Sequence, residues 1–484
     1  MHIVFAASEC APWAATGGMG EVVGALSRTI ASLGHEATVY LPYYRQVREK
    51  YPEKNYAVRS ITIPYQDYSR FVSILDGGVQ DGVQLYFVNN PEMFDREAMY
   101  GVAAGDYPDN WERFALYCRA VLEATKELGV PDVFHVHDWE AALIPVYLRT
   151  LYAGDPVLRN RPAVQTIHNA AYQGRFPAET TERLLLPHEI FTMERLEHYG
   201  KFNFLKGGLV YADLVTTVSP RYAREIQTPE FGERLDGALR QRGADLVGIL
   251  NGVDYALWNP ATDGNIAAHY SAESLDGKAA CRRDLLHAFG AGAVKDGTAV
   301  LGMVTRMATQ KGLDLVEQVA PALANEDAVL IAMGNGEQYY ENMFQSLAQQ
   351  FRGRVLVKTG YDDTLAHKVE AGADIFLMPS KWEPCGLNQF YSLKYGTPPV
   401  VHATGGLDDT IEEWDGKARK GTGFKFGEYA AEPFLEAIRR ALRVFRDKDA
   451  WQALMRNGMA KDFSWARPAA QYVEAYERVV RARS

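Results

Sequence analysis

Val300-Leu301-Gly302-Met303-Val304-Thr305-Arg306-Met307-Ala308-Thr309-Gln310-Lys311-Gly312-Leu313 sets a short apolar run against a polar loop that carries two cations and ends on a glycine. A run of this kind, with no polar alternation, reads as a strand covered on both faces, and the residues after it read as a strand-to-helix junction. The pattern recurs outward in both directions. Upstream it appears at Ile3–Ala7, Ala37–Leu41, Leu85–Val88, Val133–Val136, Val164–Ile167 and Leu214–Val218, and downstream at Val329–Met333, Val355–Lys358, Ile375–Met378 and Pro399–His402. Helical stretches separate the runs. Two such series predict an α/β chain of two doubly wound domains with parallel sheets. The second series begins after Asn251-Gly252-Val253-Asp254. The expected boundaries are 1–244 and 245–462, with Asp245–Leu250 as connector. Residues 463–484 form a final helix, in which Tyr472, Val473, Tyr476 and Val479 recur at helical spacing.

The 484 residues are 47% hydrophobic and 23% charged, the balance of an ordinary globular protein. A net charge of -10 argues against nucleic acid as a partner, because phosphate backbones select basic surfaces. Cys10, Cys118, Cys281 and Cys385 lie too far apart for a CxxC pair or a disulfide framework, so a reduced, cytoplasmic setting is expected. The first residues, His2 to Glu9, lack a basic n-region and read as a strand rather than a signal peptide. No apolar run reaches 18 residues, so no membrane span is expected. The sequence assigns no oligomeric state.

In doubly wound folds ligands sit beyond the carboxyl ends of the strands, so the loops there carry the chemistry. Thr16-Gly17-Gly18-Met19-Gly20-Glu21 precedes a helix, and its N–H groups can approach an anion. A plain tight turn is the alternative. A dinucleotide fingerprint fails, because Gly18, Gly20 and Gly24 are spaced one residue too long and sit too far beyond the strand. His135 and His137 could together ligate zinc, but no third ligand stands at zinc spacing. Asp138 and Trp139 suit a sugar better, with a carboxylate for hydroxyls and an indole for C–H surface. His168 ends a strand beside Asn169, as a site residue or as a buried structural histidine. Arg306 and Lys311 can hold a diphosphate and neutralise its charge as it departs. A solvated basic pair is the plainer alternative. Two further strand-end loops are Glu383-Pro384-Cys385-Gly386-Leu387 and Thr404-Gly405-Gly406-Leu407. Glu383 can act as general base or as hydroxyl acceptor. Cys385 as a nucleophile lacks a nearby histidine base in sequence.

Taken in order, these pieces resemble the ADP-glucose-dependent glycogen and starch synthases, over nearly the full length. The landmarks are Ser8-Glu9, Thr16-Gly17-Gly18, His137-Asp138-Trp139, His168-Asn169 with Tyr172-Gln173-Gly174, Lys206-Gly207-Gly208, Asn251-Gly252-Val253-Asp254, Arg306 with Gln310-Lys311-Gly312, and the Glu383 and Thr404 loops. The resemblance implies the GT-B fold, two Rossmann-like domains facing across a deep cleft, with the last helix crossing back to the first. It implies retaining transfer of glucose from ADP-glucose, or UDP-glucose, to the non-reducing end of glycogen or a maltooligosaccharide. It calls for no metal ion and no cofactor.

By the same resemblance, His168, Arg306, Lys311 and Glu383 are catalytic. Arg306 and Lys311 bind the diphosphate, Thr404, Gly405 and Gly406 cradle the distal phosphate, and Tyr361 lies by the nucleoside. Gly17, Gly18, Gly386 and Leu387 complete the donor side. Glu383 holds the donor sugar hydroxyls, and the His168 main chain faces the anomeric carbon. Glu9, Asp138, Trp139 and Asn169 line the sugar side. One departure stands out: the family usually has lysine before Thr-Gly-Gly, and this chain has Ala15. Alternative readings are a glucan-binding homologue that has lost catalysis and a related synthase with a small acceptor. Lys311→Ala is expected to lower turnover and leave thermal stability nearly unchanged.

Overall fold

A computed structural model describes residues 1–52, 55–102 and 105–483. The chain divides into two compact units, Met1–Gly252 with Trp465–Ser484, and Val253–Ser464. The first contains a nine-stranded sheet. Its strands are β1 (His2–Ala6), β2 (Glu36–Pro42), β3 (Asn55–Pro64), β4 (Ser69–Gln80), β5 (Val83–Asn89), β6 (Val133–His137), β7 (Ala163–Ile167), β8 (Leu214–Thr217) and β9 (Leu246–Gly248). Their order is β9-β8-β7-β6-β1-β2-β5-β4-β3. From β9 to β5 every pairing is parallel, whereas β3 and β4 add an antiparallel hairpin at one edge.

The second unit has six parallel strands in the order β12-β11-β10-β13-β14-β15. They are β10 (Ala299–Val304), β11 (Ala328–Gly334), β12 (Val355–Thr359), β13 (Ile375–Met378), β14 (Pro399–His402) and β15 (Phe424–Phe426). Each apolar run read from the sequence lies on one of these strands. The reason is visible in β10, which is buried throughout. Ala299, Leu301 and Met303 enter a core with Leu313 and Val316, and Val300 and Val304 enter another with Val369 and Phe376. A strand that feeds two cores has no polar face to show.

Four strands of these two sheets escaped the sequence reading. Strand β3 covers one face only, so Val58, Ile61 and Ile63 are buried while residues between them are exposed, and in β4 Ser73 breaks the buried run Val72–Leu75. Strands β9 and β15 have three residues each. Strand β9 also moves the expected boundary. Leu246–Gly248 is not a connector but pairs in parallel with β8, so the first unit runs on to Gly252.

The helix Ala466–Arg483 belongs to the first unit, where it packs on the helix Gly18–Ser32 and on β6 and β7. Tyr472 and Tyr476 are fully buried, and the Tyr476 hydroxyl and His135 Nδ1 share a hydrogen bond at 2.8 Å. Arg483 reaches Asp213 at 2.6 Å. No helix among the described residues is long and apolar enough to cross a membrane.

The burial of Tyr476 sets a test. Tyr476→Ala is expected to cost about 3–5 kcal/mol of folding stability, the usual loss for a large buried aromatic. Tyr476→Phe loses only the His135 hydrogen bond and is expected to cost about 1–3 kcal/mol. Urea unfolding measures both, and no loss in Tyr476→Phe would refute the assigned hydrogen bond.

Candidate active site

In the second unit three loops meet beyond the carboxyl ends of β10, β13 and β14. Gly312 closes the first loop at φ +68, and a Cβ there would collide with the Pro379 carbonyl. Only glycine satisfies both conditions. The same loop is stitched to the second by Lys381 N–H donating to Gln310 O at 2.8 Å and Gln310 Nε2 donating to Trp382 O at 3.2 Å. Lys311 Nζ then meets Glu383 Oε2 at 2.7 Å, and Ser380 Oγ donates to the same oxygen at 2.9 Å. Glu383 is 5% exposed. Its main-chain carbonyl accepts Gly406 N–H at 3.0 Å, which brings in the third loop. Gly405, at φ +44, lies so close to that carbonyl that a Cβ would clash with it, and one on Gly406 would clash with Cys385 O.

Thr404 is buried and immediately precedes the helix Gly405–Thr410, while Gly386 (φ +75) and Leu387 immediately precede the helix Asn388–Lys394. Arg306 is exposed, with Nη2 3.4 Å from Gln310 Oε1. Tyr361 stands 63% exposed after the edge strand β12, its hydroxyl 3.2 Å from Asp363. The structure thus brings Lys311, Glu383, Gly386, Leu387, Thr404, Gly405 and Gly406 onto one cluster of loops with Arg306 beside them. Tyr361 stands after a strand further out in the sheet.

The first unit holds a second cluster. Asp138 follows β6 at φ +50, a left-handed conformation that a non-glycine residue rarely adopts. Its Oδ1 accepts His168 N–H from the neighbouring strand end at 2.6 Å. The His168 ring makes its own bond, Nε2 to His137 Nδ1 at 3.0 Å. Asn169 folds an Asx turn onto Ala171 N–H at 3.1 Å. Burial pushes the Asp138 carboxyl up to about 7, against the pull of the His168 and Asn169 N–H groups. Burial also lowers His168 and His137, so both rings are neutral near pH 7.

Two expected sugar-facing residues are engaged otherwise. Trp139 is 8% exposed and packs edge-on against Phe114 at 4.9 Å, with Phe176 and Phe204 around it. Gly174, at φ +60, presses on its ring. Trp139 is therefore a core aromatic and presents no open face to a sugar. Glu9 is 4% exposed and holds the glycine loop. Its carboxylate accepts Thr16 N–H at 2.6 Å, Thr16 Oγ1 at 2.7 Å and Gly17 N–H at 3.2 Å, and the Tyr100 hydroxyl donates to it at 2.8 Å. Gly17 and Gly18 are exposed at the start of the helix Gly18–Ser32. Tyr100 was missed, since nothing in its local sequence marks it. Ser380 was also missed, although its place after β13 was a signal.

Other landmarks are scaffolding. Buried Lys206 donates to Met193 O at 2.5 Å and Glu197 O at 2.6 Å, and Gln173 Nε2 to Ala170 O and Glu233 O. The two histidines considered for zinc lie side by side but are engaged otherwise: both His135 nitrogens bond to hydroxyls, Tyr476 and Thr166, while His137 Nδ1 bonds to His168.

Comparison with known proteins bears on the family and the fold. Residues 2–241 match the starch synthase catalytic domain, and residues 288–452 match the glycosyl transferases group 1 domain. The glycogen synthase of Koribacter versatilis is 56% identical over 484 residues, covering 100% of this chain and 99% of that one. That of Anaeromyxobacter dehalogenans is 46% identical, covering 98% and 99%. The catalytic domain of starch synthase IV from Arabidopsis thaliana, solved with ADP and acarbose, superposes with a TM-score of 0.89 at 30% identity, over 99% of each chain. Identity of this depth along the whole length makes the chain a member of the glycogen synthase family, a glycosyltransferase of glycogen synthesis with the GT-B fold.

Proposed function

We propose that this enzyme transfers glucose from ADP-glucose to the non-reducing end of an α-1,4-glucan with retention at the anomeric carbon, in the cytoplasm. The observation that carries the reading is the Lys311–Glu383 pair, set among three glycine-tightened loops with Arg306 alongside. When the C1–O bond to the diphosphate breaks, the leaving oxygen gains negative charge. Arg306 and Lys311 stabilise it, and the Thr404–Gly405 turn lies by the distal phosphate, the Gly406 N–H being already donated to the Glu383 carbonyl. Glu383 accepts hydroxyl hydrogen bonds from the sugar. The ADP and acarbose held by the Arabidopsis enzyme support a nucleotide and a glucan-like ligand as partners here.

In the first unit Asp138 does for the main chain what Lys311 does for Glu383. By taking the His168 N–H, it orients the turn so that the His168 carbonyl faces the anomeric carbon, where positive charge forms. A carbonyl dipole stabilises that charge without itself reacting.

Donor choice is tested by comparing ADP-glucose with UDP-glucose on glycogen, in the wild type and in Ala15→Lys. Faster release of ADP than of UDP is expected, with activity preserved or raised in the variant. Release of neither nucleotide by the wild type would refute the reading.

The ion pair is tested by Lys311→Ala, which is expected to lower turnover by roughly ten- to a hundredfold, the effect of one charge-assisted bond. The pair revises the expectation of unchanged stability, since the substitution leaves a 5%-exposed carboxylate without its cation. A loss of about 1–3 kcal/mol is expected. Adding Glu383→Gln is expected to recover stability but not turnover, as thermal denaturation and initial rates will show. Recovery of both would make the pair purely structural.

A pH dependence is also expected. The Asp138 carboxyl stands at about 7 when folded against an ordinary 3.8, so the folded state holds an extra proton between these values. Its contribution to stability is then lost as pH rises through that window. Relative to the wild type, Asp138→Asn is expected to gain up to about 1.4 kcal/mol per pH unit from about pH 4 to 7 and nothing further above it. Urea denaturation across that range checks this; a constant difference would mean that the carboxylate is ionised throughout.

A further inference from the structure

His137 is fully buried, adjoins the proposed site, and has no part in the proposed chemistry. Its ring makes one described hydrogen bond, Nδ1 to His168 Nε2 at 3.0 Å, while its Nε2 is sealed from solvent without a partner. The neighbour that could serve that nitrogen is His135, whose ring lies 4.1 Å away. His135 is already committed at both nitrogens, to Tyr476 and to Thr166. Burial keeps all three rings neutral, so each carries one proton.

Two arrangements satisfy the 3.0 Å contact. In one, His168 Nε2–H donates to His137 Nδ1, and the His137 proton sits on Nε2 as a buried N–H with no acceptor. In the other, His137 Nδ1–H donates to His168 Nε2, and only a lone pair is left unmatched. Orphaned buried N–H groups are the rarer and costlier outcome. The second arrangement has a consequence. If His168 Nε2 accepts, the His168 proton must be on Nδ1. That nitrogen is not among the sealed, unpartnered atoms, and His168 is only partly buried.

We propose that His137 is a positioning residue whose Nδ1–H holds His168 in the Nδ1-protonated form and fixes the orientation of the turn after β7. The turn is then clamped from two consecutive residues, with Asp138 holding the His168 main-chain N–H and His137 holding its ring. The single described main-chain bond within the turn beyond β7, Tyr172 N–H to Asn169 O at 3.2 Å, does not involve the His168 carbonyl. The Ala170 N–H donates to the Tyr222 hydroxyl at 3.0 Å, so the side chains of His137 and Asp138 set that carbonyl's direction together with Tyr222. The catalytic weight of His137 rests on the proposed role of the carbonyl; the tautomer assignment does not.

The test uses full-length protein labelled with 15N-histidine, with His168 resonances identified by their loss in His168→Gln. Wild-type His168 is expected to be protonated on Nδ1. In His137→Phe the Nε2-protonated form is expected to appear, and kcat to fall roughly tenfold or more, the worth of one hydrogen bond, with donor KM little changed. His137→Asn keeps an amide donor near the Nδ1 position and is expected to restore both the tautomer and most of kcat. Wild-type His168 protonated on Nε2 overturns the proposal outright, whatever the variants do. So does an unchanged His168 tautomer in a folded His137→Phe, or failure of a folded His137→Asn to restore it. If the wild type transfers glucose from neither donor, the functional reading falls while the tautomer result still decides the role of His137.

Discussion

A carboxylate with 5% of its surface exposed has to be matched where it lies, and in the second unit that requirement falls on Glu383. Desolvating it without a cation and a donor would cost several kcal/mol. Lys311 and Ser380 supply both, and the lysine can do so only if the loop after β10 lies flat on the loop after β13. That approach leaves no volume for a Cβ at Gly312, and the Glu383 and Cys385 carbonyls leave none at Gly405 and Gly406. The glycines of these loops thus have a steric reason before any ligand is considered. The same packing occupies the Gly406 N–H, which donates to the Glu383 carbonyl.

The first unit obeys the same logic with different residues. Its charged groups near the strand ends hold main chain: Glu9 the Thr16–Gly17 turn and Asp138 the His168 turn. The left-handed backbone at Asp138 is strain that these bonds offset. A surface made of oriented main-chain groups suits a reaction whose charges appear only briefly. Fixed dipoles need no reorganisation when a bond breaks, whereas a mobile side chain would.

How much of this could be read beforehand depends on burial. Strands feeding two cores carry continuous apolar runs and were legible; β3, wetted on one face, β4, whose buried run is broken by Ser73, and the three-residue β9 and β15 were not. The rule that ligand loops come after strand ends located the Arg306, Glu383, Thr404, Asp138 and His168 loops. It could not tell which way a side chain turns. Trp139 is adjacent to Asp138 in sequence, yet it points into Phe114, Phe176 and Phe204. The hydroxyl of Tyr100 reaches Glu9 across 91 positions, a contact that no local pattern encodes.

Ala15 can be judged in the same terms. It is exposed, and the bonds that shape its loop run from Glu9 to Thr16 and Gly17, so none depends on the side chain at position 15. Replacing the family's usual lysine therefore leaves the turn intact and removes one positive charge from a loop that already carries a carboxylate. The helix N-terminus at Gly18 contributes a partial positive charge of about half an elementary unit, and Glu9 lies against it and offsets it. That end of the loop is therefore nearly neutral. In the second unit the opposite holds, since the bond to Glu383 fixes the Lys311 ammonium where the three loops meet.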